Sequence, residues 1–290
     1  VLNFRCVHTG NSAHLAPTDM CRHLAYLGPP VTLASLLYDP PQSLVRQSWA
    51  PRRQRYGTIN ADGYGVGWYQ PEVTAEPGRL RRAGPMWADR SLESLARVVR
   101  SGAFLAAVRS ATPPAPIEET GAAPFTDGRW LFSLNGRVTS DLVELRSQVS
   151  GRRQAGIQGG SDAEVLFALL LDRLDAGRPP AGALRDLVAT VPGRLNLLLT
   201  DGATIWGTTW GDTLSWRSWR GGVIVASEPL DDEPGWGAVP DCSLLTATAD
   251  STSVTSLPSD EDPQGAQGPQ GAQDRQGPQG PQDPQGAPAP

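Results

Sequence analysis

Lysine is absent from this sequence, cysteine is scarce, and positive charge is not in excess. All 25 basic residues are arginine, and the 30 acidic residues outnumber them, so the net charge is −5. An acidic chain lacks the basic surface that nucleic acids and anionic membranes attract, so neither is an expected partner. The arginine bias is typical of GC-rich genomes and indicates no function by itself.

The three cysteines, Cys6, Cys21 and Cys242, are too irregularly spaced for a metal site or a disulfide framework. We therefore expect no metal and no cofactor. Cys242 fits a small buried apolar side chain. No apolar run is long enough to span a bilayer, and the first residues lack the apolar core of a secretory signal. These absences predict a cytoplasmic protein.

Composition divides the chain into three parts. Residues 1–20 are a leader or a mis-assigned start, because Val1 fits a translated GTG codon and Met20 is the alternative start. Residues 21–255 have a globular composition. Residues 256–290 form a tail rich in Pro, Gln and Gly, which predicts disorder. Glycine recurs there every third residue, but Asp274 and Asp283 stand where a collagen triple helix requires glycine.

Hydrophobic spacing in the globular part predicts an α+β fold. Helical spacing covers Val31–Leu37, Leu92–Val99 and Ala163–Leu174, and Ser161 with Glu164 fits a capping box before the last helix. Strands are predicted at 65–69, 104–109, 130–134, 195–200, 204–209, 214–219 and 223–226. Asp201-Gly202 predicts a hairpin turn. The last four strands follow one another closely, so we expect them to be antiparallel neighbours.

Met20-Cys21 is the first pattern that indicates chemistry. Removal of a methionine before the small Cys21 would leave a thiol and a free α-amine on one residue. The amine, with a pKa of about 8, can act as a base, and the thiol, with a pKa of about 8.5, as a nucleophile. The alternative is a structural cysteine buried on a first strand.

The residues around Cys21 carry a family resemblance. Met20–Tyr26 (Met-Cys-Arg-His-Leu-Ala-Tyr) resembles the start of class II glutamine amidotransferases, which are N-terminal-nucleophile hydrolases. Gln47–Tyr69 is similar to their actinobacterial branch, the γ-glutamyl-hercynylcysteine S-oxide hydrolases of ergothioneine biosynthesis. The similarity extends over 21–230. It implies a four-layer αββα sandwich of two antiparallel sheets between helices.

Two charged residues match motifs that hold the glutamyl group in this family. Ala106–Thr112 contains the Arg-x-Ala-Thr motif, so the resemblance implies that Arg109 binds the glutamyl α-carboxylate. Ser161-Asp162-Ala163-Glu164 matches Ser-Asp-x-Glu, which implies that Asp162 binds the α-ammonium group. The alternatives are a surface ion pair for Arg109 and a helix N-terminal charge for Asp162. We assign Glu164 to capping.

An oxyanion hole is implied by Asn135-Gly136, where the Asn135 amide and the Gly136 N–H would donate to the reacting oxygen. A type I′ hairpin turn is the alternative for an Asn-Gly pair. Leu134 departs from the family, in which a histidine commonly precedes Asn-Gly. The glycine-rich run Asn60–Gly67 lacks a nucleotide-binding pattern, and we interpret it as a turn leading into a strand beside the active site.

The resemblance implies an enzyme that hydrolyses the γ-glutamyl amide of γ-glutamyl-hercynylcysteine S-oxide, with a small-molecule substrate. Two alternatives stay open. The chain could be a glutaminase subunit that supplies ammonia to a separate synthase, or a catalytically degenerate binding scaffold. The oligomeric state is not indicated by the sequence.

Overall fold

The computed structural model describes residues 21–54, 59–111 and 116–257. The predicted leader with Cys6, residues 258–290 of the predicted tail and parts of two matched stretches, 55–58 and 112–115, lie outside the described residues. The first two residues of the predicted tail are described and belong to the folded part, because Ser256 ends a strand and Leu257 is buried, so the predicted boundary at 256 is two residues too early. The strands are β1 (Arg22–Thr32), β2 (Gly63–Trp68), β3 (Gly78–Arg82), β4 (Arg100–Arg109), β5 (Phe125–Asp127), β6 (Trp130–Val138), β7 (Gly193–Thr200), β8 (Ile205–Thr209), β9 (Ser215–Trp219), β10 (Gly222–Ala226), β11 (Gly237–Ala238), β12 (Ser243–Ala247) and β13 (Thr252–Ser256). The α-helices are α1 (Ala34–Leu37), α2 (Leu44–Gln47), α3 (Arg90–Val98), α4 (Leu142–Ser147), α5 (Gly151–Gln154), α6 (Asp162–Asp175) and α7 (Pro180–Thr190).

The strands form two antiparallel sheets. The seven-stranded sheet has the order β11-β9-β10-β1-β4-β2-β3, and the six-stranded sheet has the order β13-β12-β8-β7-β6-β5. Helices α1 to α3 pack on the outer face of the first sheet, and α4 to α7 on the outer face of the second. A third apolar cluster fills the space between the sheets. The four-layer αββα sandwich is confirmed.

Strand β1 lies in the middle of its sheet and is buried on both faces. Leu24 and Tyr26 join the cluster on the helix side, whereas Ala25 and Leu27 join the cluster between the sheets. This alternation follows from the two-residue period of a strand. Because Cys21 directly precedes Arg22, the first residue of β1, the central position of the strand fixes where the thiol lies.

Helix α6 forms where its apolar spacing and cap predict. Ser161 Oγ accepts from the Glu164 N–H at 3.2 Å, as the capping-box pattern requires. The Glu164 carboxylate does not turn back to the N-cap. It accepts from the N–H groups of Gln158 and Gly159, each at 2.7 Å, and so anchors the chain that leads into the helix.

Two element predictions are wrong in part. Val31 and Thr32 end β1, and helix α1 begins only at Ala34, because the β1–β4 pairing resumes after a bulge and includes Val31. Of the last four predicted strands, β7 and β8 pair in one sheet, but β9 and β10 pair in the other. The chain therefore crosses between the sheets after β8. The turn at Asp201-Gly202 is confirmed, with Asp201 Oδ1 accepting from Ala203 N and Thr204 N.

Cys242 is half-buried with a φ of 54°, so its prediction as a buried apolar side chain is wrong. A positive φ suits a turn, and Asp241-Cys242 lies directly before β12. Within 21–54, 59–111 and 116–257, none of the helices has the length and apolar character to cross a membrane. The same residues contain no cluster of three or more His, Cys, Asp or Glu side chains that could hold a metal ion.

Candidate active site

A pocket of about 50 Å³ opens at the start of β1, beside the last residues of β4. The pocket brings together Cys21, Arg109, Gly136 and Asp162, four of the five predicted site residues. They come from β4, β6, α6 and the residue before β1, and they are separated by up to 141 positions in sequence (162 − 21). Gly63 and Tyr64 of β2 form part of the wall, so the predicted position of the glycine-rich run beside the pocket is confirmed.

The Cys21 side chain is free and half-buried, and its environment favours the neutral thiol. Burial raises the pKa of Cys21 to about 11, against the opposing effects of the Arg109 and Arg22 charges and of a hydrogen bond from the Ser110 N–H. The sulfur is therefore protonated at neutral pH. A nucleophilic role requires a base that removes this proton as the sulfur attacks.

Arg109 ends β4 and is 8% exposed, so it is not the surface residue of the alternative interpretation. Its Nη1 atom is buried and has no hydrogen-bond partner among the described residues. Gly121 makes room for this atom, because a Cβ at Gly121 would lie 2.0 Å from Nη1. A buried cation with an unused donor is suited to bind a carboxylate that enters the pocket.

Asp162 begins α6, and its carboxylate connects that helix to β6. One oxygen accepts from the Val138 N–H at 2.9 Å, and the other accepts from the Ala163 N–H at 2.9 Å. Burial raises the pKa of Asp162, although these two hydrogen bonds and the Arg109 charge oppose the rise. Asp162 therefore has the helix-terminal role of the alternative interpretation, and the same residue also lines the pocket.

Asn135 and Gly136 lie inside β6, paired with Asn196 and Leu195, so the hairpin-turn alternative is wrong. Gly136 lines the pocket, and a Cβ there would lie 1.9 Å from the Arg194 carbonyl oxygen. Leu134, which stands where the family commonly has histidine, also lines the pocket and is 5% exposed. The Leu134 side chain is apolar and, unlike histidine, cannot donate a hydrogen bond into the pocket.

Asn135 differs from the other predicted site residues, because its side chain points to the opposite face of β6 from Leu134. Its amide nitrogen donates to Asp212 Oδ2 at 3.1 Å and to Ser227 Oγ at 3.2 Å, which uses both amide hydrogens. Its Oδ1 atom has no hydrogen-bond partner in the described part of the chain. For Asn135 to donate to an oxyanion, its amide nitrogen must therefore give up its hydrogen bond to Asp212 or to Ser227.

A fully buried polar network under Cys21 was not predicted from the sequence. Arg22 Nη1 donates to the Cys21 carbonyl oxygen and to Asp212 Oδ2, both at 3.1 Å. The His23 N–H donates to Ser227 Oγ at 3.0 Å, and His23 Nδ1 contacts Ser133 Oγ at 2.8 Å. Burial and the neighbouring Arg22 charge lower the pKa of His23 to about 3, so this imidazole is neutral at neutral pH. No local pattern marks Asp212 or Ser227, because they reach Arg22 and His23 only when distant parts of the chain come together in the fold.

Comparison with known proteins places the chain among named hydrolases. It is 44% identical over 238 residues to the γ-glutamyl-hercynylcysteine sulfoxide hydrolase of Mycolicibacterium smegmatis, with 82% of this chain and 100% of that protein covered. It is 43% identical over 245 residues to the protein of the same name in Mycobacterium tuberculosis, with 84% and 100% covered. A probable glutamine amidotransferase of Saccharomyces cerevisiae is 28% identical, with 78% and 81% covered. No family model matches the sequence.

Solved structures agree on the fold. A glutamine aminotransferase class-II domain protein from Silicibacter pomeroyi superposes with a TM-score of 0.60 at 26% identity, covering 82% of this chain and all of that one. The glutamine phosphoribosylpyrophosphate amidotransferase of B. subtilis superposes with a TM-score of 0.62 at 15% identity, covering 82% of this chain and 49% of that one, and it supports the fold alone. Because the chain covers its mycobacterial relatives along their whole length at more than 40% identity, it belongs to the γ-glutamyl-hercynylcysteine sulfoxide hydrolase family.

Proposed function

We propose that this protein hydrolyses the γ-glutamyl amide of γ-glutamyl-hercynylcysteine S-oxide and releases glutamate and hercynylcysteine S-oxide, a step of ergothioneine biosynthesis. The observation that carries the proposal is one pocket that joins a free thiol to a cation and an anion. Cys21, Arg109 and Asp162 line it together. A glutamyl group has an α-carboxylate and an α-ammonium at one end and the scissile amide at the other, which matches this charge pattern.

In the proposed reaction, Arg109 binds the α-carboxylate and Asp162 binds the α-ammonium. The Cys21 sulfur attacks the γ-carbonyl carbon while its proton moves to the Cys21 α-amine. The Gly136 N–H and the Asn135 amide donate to the resulting oxyanion. Collapse of this intermediate breaks the C–N bond, and the leaving amine takes the proton from the protonated Cys21 α-amine. Water then hydrolyses the thioester, which releases glutamate and regenerates the thiol.

Two features support the α-amine as the base. The raised pKa of Cys21 means that the thiol needs assistance at neutral pH. The buried His23, with its pKa lowered to about 3, is a poor base for this step. The proposal requires Cys21 to become the first residue, whether by initiation at Met20 or by cleavage. We further propose that the enzyme acts in the cytoplasm, where reducing conditions keep a thiol nucleophile active.

The substrate is tested by measuring glutamate release from γ-glutamyl-hercynylcysteine S-oxide and from glutamine. We expect a higher kcat/KM for the sulfoxide substrate, and Cys21→Ala should abolish release. Ser91→Ala, which changes an exposed side chain of α3 outside the pocket, is the control and should retain activity. A preference for glutamine would instead support the glutaminase alternative. Undiminished release by Cys21→Ala would refute the proposed nucleophile.

The amine is tested with an amine-specific acylating reagent. Because the chain contains no lysine, its N-terminal α-amine is its only primary amine. Acylation of protein that begins at Cys21 should therefore abolish activity with a single modification per chain, as measured by intact mass. Protein that keeps residues 1–20 should be inactive before acylation. Full activity after complete acylation would exclude the amine as the base.

A further inference from the structure

A second cavity, of about 260 Å³, lies where the edges of the two sheets meet. Its walls come from edge strands β3 and β5 and from the chain around α5 and the start of α6. Phe125 is shared with the γ-glutamyl pocket, and the segment 119–124 separates the two spaces. The catalytic residues proposed above do not line it.

Two arginines of β3 point into this cavity without a close counter-ion. Arg79 and Arg81 are two residues apart on one strand, so their side chains share a face. Arg81 is 8% exposed, whereas Arg79 lies at the surface. In the described part of the chain, no carboxylate oxygen lies within 4 Å of either guanidinium group.

The hydrogen bonds of these two guanidinium groups go only to neutral acceptors. Arg81 donates to the Thr120 carbonyl oxygen at 3.0 Å and to Gln158 Oε1 at 3.4 Å, and Arg79 donates to the Pro124 carbonyl oxygen at 3.4 Å. Burial lowers the pKa of both arginines, and the Arg81 charge lowers the pKa of Arg79 further. The more distant carboxylates of Glu119 and Glu164 partly offset these decreases.

The other two arginines around the cavity are already paired with carboxylates. Arg153 bonds to Asp127 and Asp175, each at 2.6 Å, and Arg152 lies 3.7 Å from Asp175. The Glu164 carboxylate accepts from two backbone N–H groups. These two bonds do not cancel the charge of Glu164, so Arg79 and Arg81 leave the cavity with a net positive charge that Glu164 offsets only in part. A half-buried positive pair of this kind is stabilised by an anion with several oxygens.

We propose that the cavity at Arg79 and Arg81 is a second ligand site, which binds a small oxyanion, either a phosphate or a dicarboxylate. The site is separate from the γ-glutamyl pocket, and binding there does not depend on the proposed hydrolysis. Arg81 supplies the buried contact and Arg79 the contact at the mouth. Their planar guanidinium groups can each donate two parallel hydrogen bonds to such an anion.

Isothermal titration of the purified protein with inorganic phosphate and, separately, with malonate tests the site and distinguishes the two anion classes. We expect at least one of them to bind. Arg81→Gln should weaken that binding about tenfold, the usual effect of losing one charge-assisted hydrogen bond. Arg79→Gln serves as the second variant, because the Arg79 side chain is exposed and its replacement leaves the core intact, and it should weaken binding severalfold.

Two control variants decide whether the signal belongs to this cavity. Arg90→Gln removes an equal charge from a side chain that is 90% exposed on α3, and it should bind the anion like the unmodified protein. Arg109→Gln alters the γ-glutamyl pocket and should also retain binding. The proposal would be overturned if neither anion binds, or if the Arg79 and Arg81 variants bind the anion as tightly as the unmodified protein does. Loss of binding in Arg109→Gln would also overturn it.

Discussion

Gly136 is the single residue at which the pocket tolerates a side chain least. Its φ is 153°, and a Cβ would lie 1.9 Å from the Arg194 carbonyl oxygen on β7. Gly136→Ala must therefore push β6 away from β7. We expect it to lower the free energy of unfolding by about 3 kcal/mol or more and to reduce activity strongly. Urea denaturation measures the first effect. Gly151→Ala, where a Cβ meets no atom within 4 Å, is the control and should change stability little.

The Cys21 thiol should show its raised pKa in its alkylation kinetics. In protein that retains residues 1–20, the rate of reaction with iodoacetamide should rise about tenfold per pH unit from pH 7 to 10, because the thiolate fraction grows until the pKa of about 11 is reached. Peptide-resolved mass spectrometry distinguishes Cys21 from the other cysteines. A plateau in the rate near pH 8 would show that burial does not control this thiol.

His23 should make stability depend on pH in the acid range. Its pKa is about 3 in the folded protein and about 6.5 in an unfolded chain, so the unfolded state binds more protons between these values. The contribution of neutral His23 is therefore complete above pH 6.5 and falls as pH is lowered towards 3. His23→Gln should flatten the stability profile over this range, as measured by Tm. An unchanged slope in the variant would assign the acid sensitivity to other groups.

At the scale of elements, the entry into α6 depends on Glu164. Its carboxylate accepts two backbone hydrogen bonds from Gln158 and Gly159. Glu164→Ala leaves both N–H groups without this partner and should lower the free energy of unfolding by about 2 kcal/mol. Glu144→Ala on α4 is the matched control, because that side chain is exposed, and it should have little effect. Chemical denaturation of both variants makes the comparison. Equal stability of the two would contradict the anchoring role.

The elements that the sequence predicted are those with unmistakable apolar periods, such as α6, β4 and β7. The Arg-rich β3 (Gly-Arg-Leu-Arg-Arg) was not predicted, because it is an edge strand and carries little apolar pattern. Strand β1 was obscured by its internal Gly-Pro-Pro and by the fully buried Arg22 and His23. The separation of β8 from β9 follows from contacts between distant strands, and local turn signals contain no information about it.

At the scale of the whole molecule, the C-terminal boundary of the domain can be tested by truncation. Leu257 is 3% exposed, and its N–H donates to the Cys242 carbonyl oxygen. A chain that ends at residue 257 should therefore unfold at a Tm within about 2 °C of the full chain. A chain that ends at residue 242 loses β12, whose Leu244 and Leu245 belong to two different cores, and should not fold. Circular dichroism of both chains decides the point.

The residues that line the pocket were easier to predict from the sequence than the buried residues that hydrogen-bond behind them. Cys21, Arg109, Gly136 and Asp162 were named from motifs, and they meet in one pocket. The sequence could not indicate that the Asn135 amide nitrogen already donates two hydrogen bonds, because its acceptors Asp212 and Ser227 lie 77 and 92 positions away. Such partners become visible only when both sheets are assembled.

The contact between Arg22 and Asp212 spans 190 residues, and that between His23 and Ser227 spans 204. During synthesis, most of the remaining chain must therefore be made before the buried polar groups of Arg22 and His23 can find these partners. Until then the nascent protein carries a solvated arginine and an ordinary thiol. The reactive centre is thus completed late, at the moment when the two halves of the sandwich close.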